Sequence, residues 1–109
     1  MSYEIIITPS FKKELNRIND KKHLNLIYKT IEKIRKYGET ILKHLYTKDN
    51  YVLYEKKFKN PPYRLYVVKD KQENTFYIVS WEHKDKQPII INKIKEKLKK
   101  GFISGFKYL

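Results

Sequence analysis

The sequence predicts a single α+β domain: a mostly antiparallel four-stranded sheet, an N-terminal strand and helical hairpin, and a C-terminal helix. Three observations lead there. A β-branched run, YEIIIT from Tyr3 to Thr8, opens the chain and passes directly into two helix-periodic stretches. Three short strand-like runs then follow between residues 52 and 81, separated by polar turns. A last helix-periodic stretch closes the pattern. A chain of 109 residues has room for one core, so residues 1–109 form one domain. The expected order is β-α-α-β-β-β-α.

The opening strand is apolar enough to be expected at the centre of the sheet, and Pro9 ends it. Pro9-Ser10 starts a helix whose apolar residues Phe11, Leu15 and Ile18 share one face, and Asn19-Asp20 breaks it. In the second helix Leu24, Ile27, Ile31 and Ile34 form one apolar stripe. Lys29, Lys33 and Lys36 fall off that stripe, and Gly38 sits where a C-terminal cap belongs. Residues 39–50 carry Ile41, Leu42 and Leu45 and read as a bridging segment that touches the core, ending in the turn Lys48-Asp49-Asn50. Strands are expected from Val52 to Phe58, Tyr63 to Val68 and Thr75 to Trp81. The first two are joined at Asn60-Pro61-Pro62. Pro88 suits the first turn of a helix that runs to Lys100 with Ile91, Ile94 and Leu98 on one face. The tail, residues 101–109, is apolar; it is expected to pack back on the core or to serve as a docking strip.

The charge balance is extreme: 25 Lys+Arg oppose 12 Asp+Glu, for a net charge of +13. Such a field points to a polyanionic partner, RNA above all, and the ten tyrosines suit stacking on unpaired bases. The plainer reading is a solvated, soluble surface. Cysteine is absent, which excludes thiolate and disulfide chemistry and makes a cytoplasmic location the default expectation. No apolar run is long enough to span a bilayer, and the N-terminus reads as a strand rather than a signal peptide, so no membrane partner is expected. With glycine only at Gly38, Gly101 and Gly105, there is no glycine-rich phosphate loop. No histidines or carboxylates have metal-ligand spacing, so neither metal nor cofactor is expected.

What the composition leaves is metal-free chemistry on a phosphodiester. RNA carries its own nucleophile, the 2′-OH; an enzyme then adds a base, an acid and cations around phosphorus. The stretch YEKKFKNPPYRLYVVKD crowds Lys56, Lys57, Lys59 and Arg64 across one hairpin. Strand alternation puts Lys57 and Lys59 on one face with Leu53 and Glu55, and Arg64 on a face with Tyr66 and Val68. The last strand runs into EHKDK, bringing His83, Lys84 and Lys86 to its end. Arg64 and His83 are therefore expected to meet beside Lys57. The candidate catalytic residues are Lys57, Arg64, His83 and Lys86; Lys56, Lys59, Tyr63 and Lys84 are candidate RNA contacts. Each has a blander reading: a surface loop for His83, a cation over Tyr63 or Tyr66 for Arg64, an edge-protecting lysine for Lys56. His23 and His44 have no supporting context.

Taken together, YEIIITPSFKKELNRI, YEKKFKNPPYRLYVV and YIVSWEHKDKQ resemble the RelE/ParE toxin superfamily over nearly the whole chain, with Tyr63-Arg64-Leu65 as the best single marker. The loop and Pro88 before the last helix are similar to the HigB branch. The resemblance implies a RelE-like toxin of a type II toxin–antitoxin system. Such a toxin is a metal-independent endoribonuclease that cleaves mRNA on the ribosome, and a cognate small acidic antitoxin neutralises it. By position it implies that Lys57 is a catalytic lysine, Arg64 the phosphate-stabilising arginine, Lys86 a loop cation and His83 a proton carrier. Two positions depart from the pattern: Glu55 stands where the family has a second lysine, and Ile90 near its catalytic tyrosine. Tyr108 substitutes only if the tail folds back. Two alternatives stay open, a non-catalytic basic nucleic-acid binder of the same fold and a ParE-like gyrase inhibitor.

Overall fold

The computed structural model describes residues 2–100; the predicted packing of the tail and any role of Tyr108 lie outside the described residues. The elements are β1 (Glu4–Ile7), α1 (Pro9–Arg17), α2 (Lys21–Tyr37), a 3₁₀ turn (Gly38–Ile41), β2 (Lys43–Lys48), β3 (Tyr51–Lys57), β4 (Tyr63–Asp70), β5 (Thr75–His83), a second 3₁₀ turn (Lys84–Lys86) and α3 (Gln87–Lys99). The fold is α+β, and its sheet is five-stranded and mixed, in the order β1-β5-β4-β3-β2.

Two expectations are corrected. The segment predicted to bridge contains an extra strand, β2, antiparallel to β3. Its register slips between His44 and Tyr46, so the apolar alternation that marks a strand is broken there. The opening strand is not central either. It lies at the edge and pairs in parallel with β5, from Glu4 opposite Thr75 to Ile7 opposite Ile78. Its apolar side chains are half-buried rather than enclosed, which one covered face suffices to explain.

Local chemistry sets the helix ends. The Thr8 hydroxyl accepts from the Phe11 N–H at the start of α1, and Asp20 accepts from the N–H groups of Lys22 and His23 at the start of α2. Gly38 ends α2 at φ 63°, and a Cβ there would meet the Tyr3 ring at 2.7 Å. Lys69, the one buried lysine among the described residues, reaches Glu39 at 3.0 Å and so ties the first 3₁₀ turn to β4.

The sheet has a core on each face. On the hairpin face Phe11, Ile27, Ile31 and Ile34 pack on Leu65, Val67, Phe76, Ile78 and Trp81. On the other face Ile94 and Leu98 of α3 pack on Leu53, Tyr66, Val68, Tyr77 and Val79. Both faces of β4 and β5 are therefore covered.

A cationic groove and a buried carboxylate

β3 and β4 continue their pairing past the start of β2, whose first residue Lys43 lies opposite Glu55. Register places Lys57 opposite Arg64 and Glu55 opposite Tyr66, so all four side chains leave one face of the sheet, the α3 face. Arg64 is 8% exposed, and its Nη1 donates to the carbonyls of Phe58 and Tyr63, each at 3.0 Å. The Phe58 N–H also donates to the Tyr63 carbonyl at 3.0 Å, and the Lys84 N–H donates to the Pro62 carbonyl at 2.9 Å. Three segments are thereby pinned around one guanidinium. Together Lys57, Phe58, Lys59, Pro62, Arg64 and Lys84 line a cavity of about 330 Å³.

Glu55 lies beside this groove and is 1% exposed. Sequence alternation put it on the Lys57 face, and the resemblance marked it as a charge inversion of a family lysine. In the fold it is the residue that sequence reasoning missed: one carboxylate oxygen accepts from the Gln87 side-chain amide, while Oε1 has no partner. Arg64 Nε and the Tyr66 hydroxyl are likewise buried without a partner. Burial, and after it the Glu55 charge, pushes the Tyr66 hydroxyl well above its ordinary pKa, with Arg64 pulling the other way. Buried polar groups are nearly always paired, so these three orphans beside a cationic groove make it a candidate site; a fourth, the Tyr77 hydroxyl, lies on the same face outside the groove lining.

The expected Arg64–His83 meeting does not form. Register pairs His83 with Tyr63 and Arg64 with Glu82, so His83 leaves the opposite, hairpin face. Its ring stands edge-on to Tyr63, with centroids 5.5 Å apart. His83 Nδ1 accepts from the Asp85 N–H at 3.1 Å, which makes it the cap of the second 3₁₀ turn. Lys56 is opposite Leu65 and also faces the hairpin side; β2 begins opposite Glu55, so β3 is locally an edge at Lys56. Tyr63 stacks on Trp81 at 5.0 Å instead of lining the groove, and Lys86 lies exposed in the 3₁₀ turn, outside the groove lining. Of the eight candidates the groove brings together Lys57, Lys59, Arg64 and Lys84.

His23, unassigned by sequence, belongs to an aromatic cluster on the hairpin side. Its Nδ1 accepts from the Trp81 indole N–H at 3.1 Å, and its ring stands edge-on to Tyr63. A cleft of about 510 Å³ opens beside it, lined among others by Glu14, Asp20, Tyr63 and Glu82. Burial first, and Glu82 second, raises the Glu14 carboxyl from 4.5 to about 7, against hydrogen bonds from Trp81 and Ser80 that lower it. The folded form thus binds the proton more tightly than the unfolded chain. Stability conferred by protonated Glu14 is present at pH 5 and is lost as pH rises through about 7. Urea unfolding should show the Glu14→Gln variant gaining stability over wild type at pH 8 relative to pH 5. Equal differences at both pH values would contradict it.

Among the described residues no three His, Asp or Glu side chains gather in a metal-holding group, and no helix is long and apolar enough to cross a membrane. No protein-family model and no curated protein matches the chain.

Proposed function

We propose that the chain is a RelE-like toxin, a metal-independent endoribonuclease that cuts mRNA on the ribosome. One observation carries the reading: Lys57, Lys59, Arg64 and Lys84 arrive from three segments in a single cavity beside the buried Glu55, whose Oε1 has no partner. Acting on RNA, Glu55 takes the proton of the 2′-OH as that oxygen attacks phosphorus. Arg64 and Lys57 stabilise the charge that builds on the phosphoryl oxygens. A groove ammonium, Lys59 or Lys84, returns a proton to the departing 5′-oxygen. The product is a 2′,3′-cyclic phosphate. His83, on the far face, takes no part. A net charge of +13 suits both the ribosome and a small acidic antitoxin laid over the groove. Ribosome-bound mRNA as substrate puts the activity in the cytoplasm.

The test is induced expression followed by mapping of mRNA ends, with and without ribosomes. New ends bearing cyclic phosphate, lost in Glu55→Gln, are the expected result. Salt-sensitive RNA binding without cleavage would instead establish a non-catalytic binder, and DNA damage with intact mRNA a ParE-like gyrase inhibitor.

A further inference from the structure

Glu55, assigned above as the base, is shut away from solvent. Glu55 Oε1, Arg64 Nε and the Tyr66 hydroxyl are all enclosed, yet none has a partner. The start of α3 is what reaches Glu55. Gln87 is the first residue of that helix, and its side-chain amide donates to Glu55. A carboxylate held by a neutral amide on one oxygen, with the other left empty, is a group covered rather than satisfied.

The cover is weakly fastened. No side chain caps α3, and Lys86 occupies the cap position. A capping side chain is typically worth about 1 kcal/mol, and its absence favours fraying of the first turn. The fully buried residues of α3, Ile94 and Leu98, lie in its second half, while Ile90 and Ile91 pack only partly buried on the same core. In its first turn Pro88 and Ile89 are exposed, Ile89 at 59%. Lys84 and Lys86 precede the turn, and Lys84 already lines the groove. The N-terminal N–H groups of a helix attract anions, so this end suits a phosphate once the amide has moved.

We infer that the first turn of α3 is a lid over the nucleotide site, with the Gln87–Glu55 hydrogen bond as its latch. This structure is the closed state. Opening frees both oxygens of Glu55 together with Arg64 Nε and the Tyr66 hydroxyl. A ribose hydroxyl and the adjoining phosphate supply the missing donor and acceptors, and the lid then closes on the phosphate with Lys84, Lys86 and the helix N–H groups. The inference rests on the proposed ribonuclease site, but its primary readout does not depend on cleavage.

Amide hydrogen exchange on the full chain tests it, in wild type and Gln87→Ala. Losing the latch should speed exchange of residues 91–93, whose N–H groups donate to the first-turn carbonyls, about tenfold, the worth of one hydrogen bond, while residues 94–98 keep their protection. A 2′-O-methyl RNA oligomer, which lacks the hydroxyl needed for cleavage but keeps the phosphate on which the lid closes, should slow exchange of residues 84–91 in both proteins. Gln87→Glu, which sets a second carboxylate against Glu55, should open the turn further and serves as the second variant. Exchange that is unchanged in both variants, or that rises uniformly along α3, overturns the lid. So does RNA binding that leaves residues 84–91 untouched. A wild type that shows the expected exchange but cleaves no RNA sinks the ribonuclease reading and keeps the lid.

Discussion

Arg64→Lys should lower RNA cleavage by about a hundred- to a thousandfold, the typical loss when one well-placed donor to a developing oxyanion is removed. Lysine keeps the charge but not the fork. The guanidinium spends Nη1 on the Phe58 and Tyr63 carbonyls, which leaves its remaining nitrogens for a phosphate. An ammonium at the same site cannot hold the hairpin and the substrate with one planar group. Lysine is a better probe than alanine here. Arg64 is buried, and hydrogen bonds from a charged group contribute about 1.5–3 kcal/mol each, so alanine would loosen the hairpin as well as the chemistry. The check is single-turnover cleavage alongside urea unfolding. A variant that cuts at the wild-type rate removes Arg64 from the mechanism.

Phe11→Ala should cost about 3–5 kcal/mol of stability, the range for deleting a buried aromatic ring. Phe11 is the only fully buried residue of α1 and packs with α2 on the hairpin face of the sheet. A domain of this size is stable by only about 5–15 kcal/mol, so the midpoint of thermal unfolding should fall by roughly 15–30 °C. A drop of a few degrees would show that the hairpin is held by something other than this ring.

The helices and the three long strands were legible because their apolar periods are regular. Ile27, Ile31 and Ile34 are buried as the stripe requires, and Gly38 stops α2 where a left-handed residue is needed. β2 was hidden for a physical reason. A bulge at an edge strand exposes Lys43, His44 and Thr47, so no alternation survives. The parallel partnership of β1 depends on which strand lies beside it, and no local pattern carries that.

At the candidate site, alternation correctly put Lys57 and Arg64 on faces that the register then joined. It also gave the means to separate Arg64 from His83. Tyr63 opposite His83 requires that His83 and Arg64 diverge, but that pairing depends on turn length and on the register shift at Tyr66/Val67, neither written in residue type. Glu55 was read as a departure from the family's lysine, and nothing in the strand pattern shows that it is enclosed or that Gln87 of α3, far along the chain, donates to it.

The pairing of Glu4 with Thr75 has a consequence for how the chain is made. β1 waits for β5, far along the sequence, before it has a neighbour, a high-contact-order arrangement that defers completion of the sheet. Lys84 of the cationic groove follows β5 in the sequence, so the groove is completed only after both partners of this pairing have been made.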